Sequence, residues 1–258
     1  MRRTLQILAG LLGVAVLVPV ATLAYTFRGL EPVVEGAELP GGARLVRGGI
    51  SNVFVLPTGT GVALVDCGDD REGEAIRAEL ARRRLDMDAV EAIFLTHGHR
   101  DHLAACSLFP AARVYALEAE VDIVEGRAVA RGPVPRRRSP ATDLGVKVTD
   151  VLRDGDTVRL GALVVQAFQV EGHTAGSAAF LADGALYVGD SLFVEDDGGV
   201  RGAAFIFSDD MDESRASMRG LATRLVSSGA PVTTIAPAHS GPLRGPDALG
   251  TLLRDLGE

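Results

Sequence analysis

The chain has 258 residues, with 34 acidic against 26 basic side chains, a net charge of −8 and a pI near 5.2. That balance excludes nucleic acid as a partner, because phosphate binding needs a basic stripe. The lone lysine, Lys147, lies away from every motif described below, which leaves Schiff-base chemistry and a P-loop without support.

Leu5 to Phe27 carries no charge. As a helix it would reach roughly 35 Å, enough to cross a bilayer core of about 30 Å. Arg2 and Arg3 precede the run and Arg28 follows it, so residues 1–28 are expected to form a retained membrane anchor with the rest of the chain exported. Cleavage near Thr22-Leu23-Ala24 is the alternative and would leave a secreted or periplasmic protein. Residues 29–42 read as a linker. Residues 43–258 form one domain, long enough to bury its own core.

Leu45 to Val46, Asn52 to Pro57 and Val62 to Asp66 read as strands, with Thr58-Gly59-Thr60-Gly61 as a hairpin turn. Glu72 to Leu85 reads as a helix whose Ile76, Leu80 and Leu85 share a partial apolar face. The buried strand Ala92 to Leu95 then stops at His97-Gly98-His99-Arg100-Asp101-His102, four potential metal ligands in six residues. Strand alternation projects His97 and His99 to one side, and imidazole with carboxylate suits a cation such as zinc. A short helix is expected over His102 to Phe109, a strand over Val114 to Leu117 and another short helix over Glu118 to Val124. Arg127 to Ser139 is expected to shape a substrate entrance, with Arg136-Arg137-Arg138 as a solvated turn.

In the second half, strands are expected at Val146 to Leu152, Thr157 to Leu160, Leu163 to Val170, Ala178 to Leu181 and Ala185 to Val188. Asp210 and Glu213 predict a capped helix to about Ser227, and a strand Val232 to Ile235 and a helix Pro246 to Leu256 close the chain. His173 and His239, the only other histidines, both follow apolar runs, and strand ends that converge on one sheet edge let distant ligands meet. Two β-rich units, each ending in helices, predict two packed sheets with helices outside. Cys67 and Cys106 could pair in an oxidising compartment, but neither has CxxC spacing and both read as buried small residues.

His97 to His102 resembles the HxHxDH signature of the metallo-β-lactamase fold superfamily. Gly172-His173-Thr174-Ala175-Gly176-Ser177, Gly189-Asp190-Ser191, Ala238-His239-Ser240-Gly241 and the strand end Leu64-Val65-Asp66-Cys67-Gly68 are similar to further family segments, in the expected order. The resemblance implies an α/β (α+β) four-layer αββα sandwich. It assigns His97, His99 and His173 to one metal and Asp101, His102 and His239 to a second, with Asp190 bridging. Asp101 would help orient a shared hydroxide, and Asp66 would hold the ligand loop from behind. The expected enzyme is a dinuclear zinc hydrolase, with two Zn2+ per chain, acting on a small ester, thioester, lactone or phosphoester. A mononuclear iron-dependent sulfur dioxygenase and a non-catalytic binding module on the same fold are the alternatives. Asp190 departs from the true β-lactamases, and no tyrosine soon after it supports a quorum-quenching lactonase. The ligand set is similar to that of glyoxalase II, but the chain ends at Glu258, too soon after His239 for that enzyme's C-terminal thioester-binding domain.

Overall fold

The computed structural model describes residues 20–137 and 141–257. Residues 20–26 are helical and are labelled α1. The first sheet then takes six strands in sequential order: β1 (Arg44–Gly48), β2 (Ser51–Pro57), β3 (Val62–Val65), β4 (Val90–Phe94), β5 (Arg113–Leu117) and β6 (Asp150–Leu152). Pairing is antiparallel from β1 to β3 and parallel from β3 to β6. Helix α2 (Glu74–Arg83) connects β3 to β4, and the single-turn α3 (Val121–Val124) follows β5.

The second sheet begins with β7 (Thr157–Leu160), β8 (Leu163–Gln169), β9 (Ala178–Ala182) and β10 (Ala185–Gly189). A small hairpin of β11 (Leu192–Val194) and β12 (Val200–Gly202) leads to α4 (Met211–Ser228). The sheet is completed by β13 (Thr234–Pro237) and β14 (Leu243–Arg244), before α5 (Ala248–Asp255). Its spatial order is β14-β13-β10-β9-β8-β7, with β13 parallel to β10 and the other pairs antiparallel.

Strand alternation builds three apolar layers. On β2, Val53 and Val55 face an outer core that includes Ile76 and Leu80 of α2, while Phe54 and Leu56 face the centre. On β10, Ala185 and Tyr187 face that same centre, and Leu186 and Val188 pack with Met218, Leu221 and Leu252 of α4 and α5. Both faces of each sheet are therefore covered, the condition under which parallel strands are stable, and the result is a helix–sheet–sheet–helix stack. The Asp210 carboxylate caps α4 by accepting from the amides of Asp212 and Glu213, both at 3.0 Å.

Several expectations need correction. Of the strand expected over Val146 to Leu152 only Asp150–Leu152 pairs, because Val146 and Val148 turn into the outer core before reaching β5. The helix expected over His102 to Phe109 is two 3-10 turns, Arg100–His102 and Cys106–Leu108. Cys67 and Cys106 are joined as a disulfide with Cα atoms 5.4 Å apart. Their spacing hid this, since the β3 exit and the loop after His102 become adjacent only when β3 and β4 pair.

The stretch expected to be a linker is fastened to the domain: Leu39 is buried, Val33 and Ala37 pack on the central core, and the Glu31 amide donates to Val194 O at 2.9 Å. The expected membrane segment over 5–27 falls mostly outside the described residues. Among the described residues no helix is long and apolar enough to cross a membrane. Arg138 of the arginine run lies outside the described residues too.

Candidate metal centre

β3, β4, β8, β10 and β13 all end on the same edge of the two sheets, and each exit carries a polar side chain to one place. Asp66 follows β3, and the His97–His102 loop follows β4. His173 follows β8, Asp190 follows β10 and His239 follows β13. All seven side chains expected to bind metal meet there. The Nε2 atoms of His97 and His173 and the Nδ1 of His99 form a triangle with sides of 3.0, 3.1 and 3.1 Å. Beside it His239 Nε2 stands 3.3 Å from Asp101 Oδ2, and His102 Nε2 stands 3.7 Å from the same oxygen. Asp190 lies between the two groups. Its Oδ1 is 3.3 Å from His102 Nε2, and its Oδ2 is 3.2 Å from His239 Nε2 and 3.6 Å from His173 Nε2.

The rear ring nitrogens settle which lone pairs point inward. His102 Nδ1 lies 2.8 Å from the Asp66 carboxylate and His239 Nδ1 lies 3.0 Å from the carbonyl of Ile50, both of them acceptors. Thr96 spends its hydroxyl hydrogen on Asp66 and Ser208 spends its own on Ala204 O, so each must accept from a histidine, from His97 Nδ1 at 3.1 Å and from His173 Nδ1 at 3.0 Å. Four imidazoles thus keep N–H on Nδ1 and direct Nε2 into the cluster, the arrangement metal-binding histidines take.

Positive charge is wanted at this spot. Burial, reinforced by neighbouring imidazoles, holds His97 well below the usual histidine range and His173 down at about 3. Burial also opposes charge on His102 and His239, yet Asp190 with its neighbouring carboxylates overrides it, lifting His102 well above the usual range and His239 to about 10. Asp101 and Asp190 are correspondingly held low despite burial, by His102 and His239. Buried carboxylates facing the unshared lone pairs of imidazoles fit a divalent cation. Two atoms underline the fit: His102 Nε2 and Asp190 Oδ1 are buried without a hydrogen-bond partner.

Backbone close to the cluster is shaped for it. Asp66 sits at φ +59°, uncommon for a side-chain-bearing residue, and from there its carboxylate also takes the Thr96 amide at 2.8 Å. Gly189 (φ +53°) places Asp190, and a Cβ there would lie 2.5 Å from the Thr96 hydroxyl.

Residues outside the sequence motifs complete the site. Buried Glu120 accepts from the amides of Gly98 and Gly176, at 2.7 and 2.9 Å, and from the Thr174 hydroxyl at 2.8 Å. Burial nevertheless pushes its carboxyl up to about 7. Asn52 donates to Pro237 O and Ser240 O on either side of His239. Nothing in the local pattern marks Glu120 or Asn52, since their partners are 22 to 188 residues away. Thr96 was visible only as the residue before the histidines. Above the cluster opens a cavity of about 680 Å³, lined by His99, Asp101, Asp190, His239 and mostly apolar side chains.

The model of the metallo-beta-lactamase superfamily matches residues 46–239, and with them every side chain of the cluster. The chain belongs to that superfamily. Among curated members, a hydroxyacylglutathione hydrolase of Cupriavidus taiwanensis is 32% identical over 148 residues, 55% of this chain and 48% of that protein. The probable polyketide biosynthesis zinc-dependent hydrolase BaeB of Bacillus velezensis is 28% identical over 161 residues, 60% of this chain and 59% of that one. The chain spans about half the length of the curated relatives it matches. Among solved superfamily structures, the Rm3 metallo-beta-lactamase aligns with a TM-score of 0.63 at 18% identity, over 87% of this chain and 91% of that one. A metallo-beta-lactamase family protein from Thermus thermophilus aligns at 0.57 and 23% identity, over 80% and 72%. At such identities the likeness is one of fold.

Proposed function

We propose that this superfamily member is a hydrolase holding two zinc ions, one on His97, His99 and His173 and one on Asp101, His102 and His239, with Asp190 shared. The observation that carries this reading is the convergence of imidazole lone pairs on two carboxylates while every rear nitrogen named above is tied to an acceptor. The relatives' names, hydrolases in each case and zinc-dependent in one, support hydrolysis. When bound, such metals would supply Lewis-acid chemistry, making water more acidic and polarising the bond under attack.

The chain's own residues do the rest. Asp101, held ionised and with its side chain 24% exposed on the cavity lining, is placed to accept a hydrogen bond from the attacking water and orient it. Asp190, nearly buried, fixes the spacing between the two ligand groups. Asp66 and Thr96 hold His97 and His102 in orientation. In an ester the acyl C–O bond breaks, the acyl carbon keeps the water's OH, and the leaving alkoxide takes the hydrogen.

We place the domain outside the cytoplasm, a reading supported by the Cys67–Cys106 disulfide and by the uncharged run behind the leading arginines. Metal analysis of the purified chain together with a panel of chromogenic esters, thioesters and phosphodiesters tests the chemistry. About two zinc ions per chain and turnover of at least one class are expected, both lost in His99→Ala. One iron per chain with oxygen uptake on persulfides would replace this reading with the sulfur dioxygenase. Full activity in His99→Ala would refute it.

A further inference from the structure

The apolar run at the start of the chain does not stop short of the domain: its last residues form part of the cavity wall. Leu23 and Phe27 both line the cavity, and the Phe27 ring lies 5.8 Å from the His239 ring and 5.9 Å, edge-on, from Phe193. This wall is built in. The Arg201 guanidinium donates to the carbonyls of Thr26 and Arg28, at 3.2 Å each, satisfying backbone acceptors at the end of α1. The Asp196 amide then donates to Gly29 O at 3.0 Å, and an isolated bridge joins Leu30 to Glu195. Ile123, Val134 and Leu144 contribute apolar side chains to the same space. At its mouth Leu23 is 47% and Ile50 66% exposed, apolar surface that a water-filled cavity leaves wet. A cavity of about 680 Å³ has the size of ordinary small-molecule sites. Arg47, Arg71 and Arg100 bring charge to the same lining, and the apolar side chains just named are what a hydrocarbon chain can pack on.

Building on the hydrolase reading, we infer that the substrates are esters or thioesters of aliphatic carboxylic acids, and that Phe27, carried in from the N-terminal segment, is a specificity-determining residue that packs on the acyl chain. The acid product has the same chain and needs no turnover to bind, so it is the probe. The zinc-loaded full chain is titrated calorimetrically with acetate, butyrate, hexanoate and octanoate. Affinity is expected to rise about threefold per added methylene beyond butyrate. Phe27→Ala is expected to shrink the octanoate-to-butyrate ratio at least about fivefold, and Phe27→Leu, which keeps an apolar side chain, to restore most of it. Equal affinity along the wild-type series overturns the inference. So does a Phe27→Ala variant that weakens acetate as much as octanoate, which would mark a general loss of structure. Chain-length-dependent binding with no ester or thioester cleaved sinks the hydrolase reading alone, whereas cleavage with flat binding sinks the substrate class alone.

Discussion

The two sheets furnish the metal centre in different ways. The first delivers four of the seven side chains from one six-residue loop after β4, so their relative placement is nearly a property of the local chain. The second delivers His173, Asp190 and His239 from three strand ends 17 and 49 residues apart, and these meet only because β8, β10 and β13 lie in one sheet with the same polarity. Local encoding gives proximity. Topology gives the cross-ties, because first-sheet residues orient ligands of the second: Ile50 O receives His239, and Asn52 braces both flanks of that histidine.

The sharpest way to break this contrast is to remove the side chain that joins the halves. Asp190→Asn keeps the shape but not the charge, and is expected to lower kcat/KM on the best ester by about a thousandfold or more, as several kcal/mol of charge stabilisation disappear. Metal content measured on the same sample should fall. A variant with normal metal content and less than tenfold lost activity would show that the halves work separately.

A second test concerns the first sheet alone. The Cys67–Cys106 disulfide closes a 39-residue separation around the exit of β3 and the loop behind His102. Replacing both cysteines with alanine is expected to cost about 2–4 kcal/mol in chemical denaturation, while zinc stoichiometry stays near that of the wild type if the local loop suffices to place its ligands.

Glu120 joins Gly98 of the first half to Gly176 of the second, and its effect depends on pH. Its folded pKa of about 7 lies above the unfolded value near 4.5, so the folded state binds the proton more tightly. Its stabilising contribution is complete below about pH 4.5, declines as pH rises towards 7 and then stays level, a change of at most roughly 3 kcal/mol. Between about pH 4.5 and 7, urea midpoints in chelator should lose stability with rising pH in the wild type relative to Glu120→Gln; parallel curves would remove Glu120 from the account. The smallest effect is expected for Asn52→Ala, about 1–2 kcal/mol from two lost hydrogen bonds to carbonyls, accompanied by faster amide exchange around residues 237–240 and little change around His97.

This contrast also explains what could be read in advance. The two-sheet sandwich was legible because β2, β3, β4 and β10 alternate or run apolar in short segments between glycine turns, and the strands lie within a few residues of where they were expected. The β11–β12 hairpin and β14 went unread, being only two or three residues long. The histidine-bearing segments were legible because histidine is scarce and each segment follows an apolar run, whereas Asp190 and the division into two ligand groups came from the resemblance of these segments to the superfamily. Glu120, Asn52 and Ser208 were not, since a buried carboxylate, amide or hydroxyl looks like any surface residue until its distant partners arrive. Phe27 was read as membrane-facing because hydrophobicity alone does not distinguish lipid from a cavity wall.

Asp66 reaches further than its single position suggests. Through Thr96 it sets the ring of His97, and directly it sets the ring of His102, so one carboxylate governs a donor in each proposed zinc shell. Neither of these two rings can be retuned through Asp66 without disturbing the other. Directed evolution towards a different metal would therefore have to move those two rings in concert, or act through Ser208 and Ile50, which steady His173 and His239 separately.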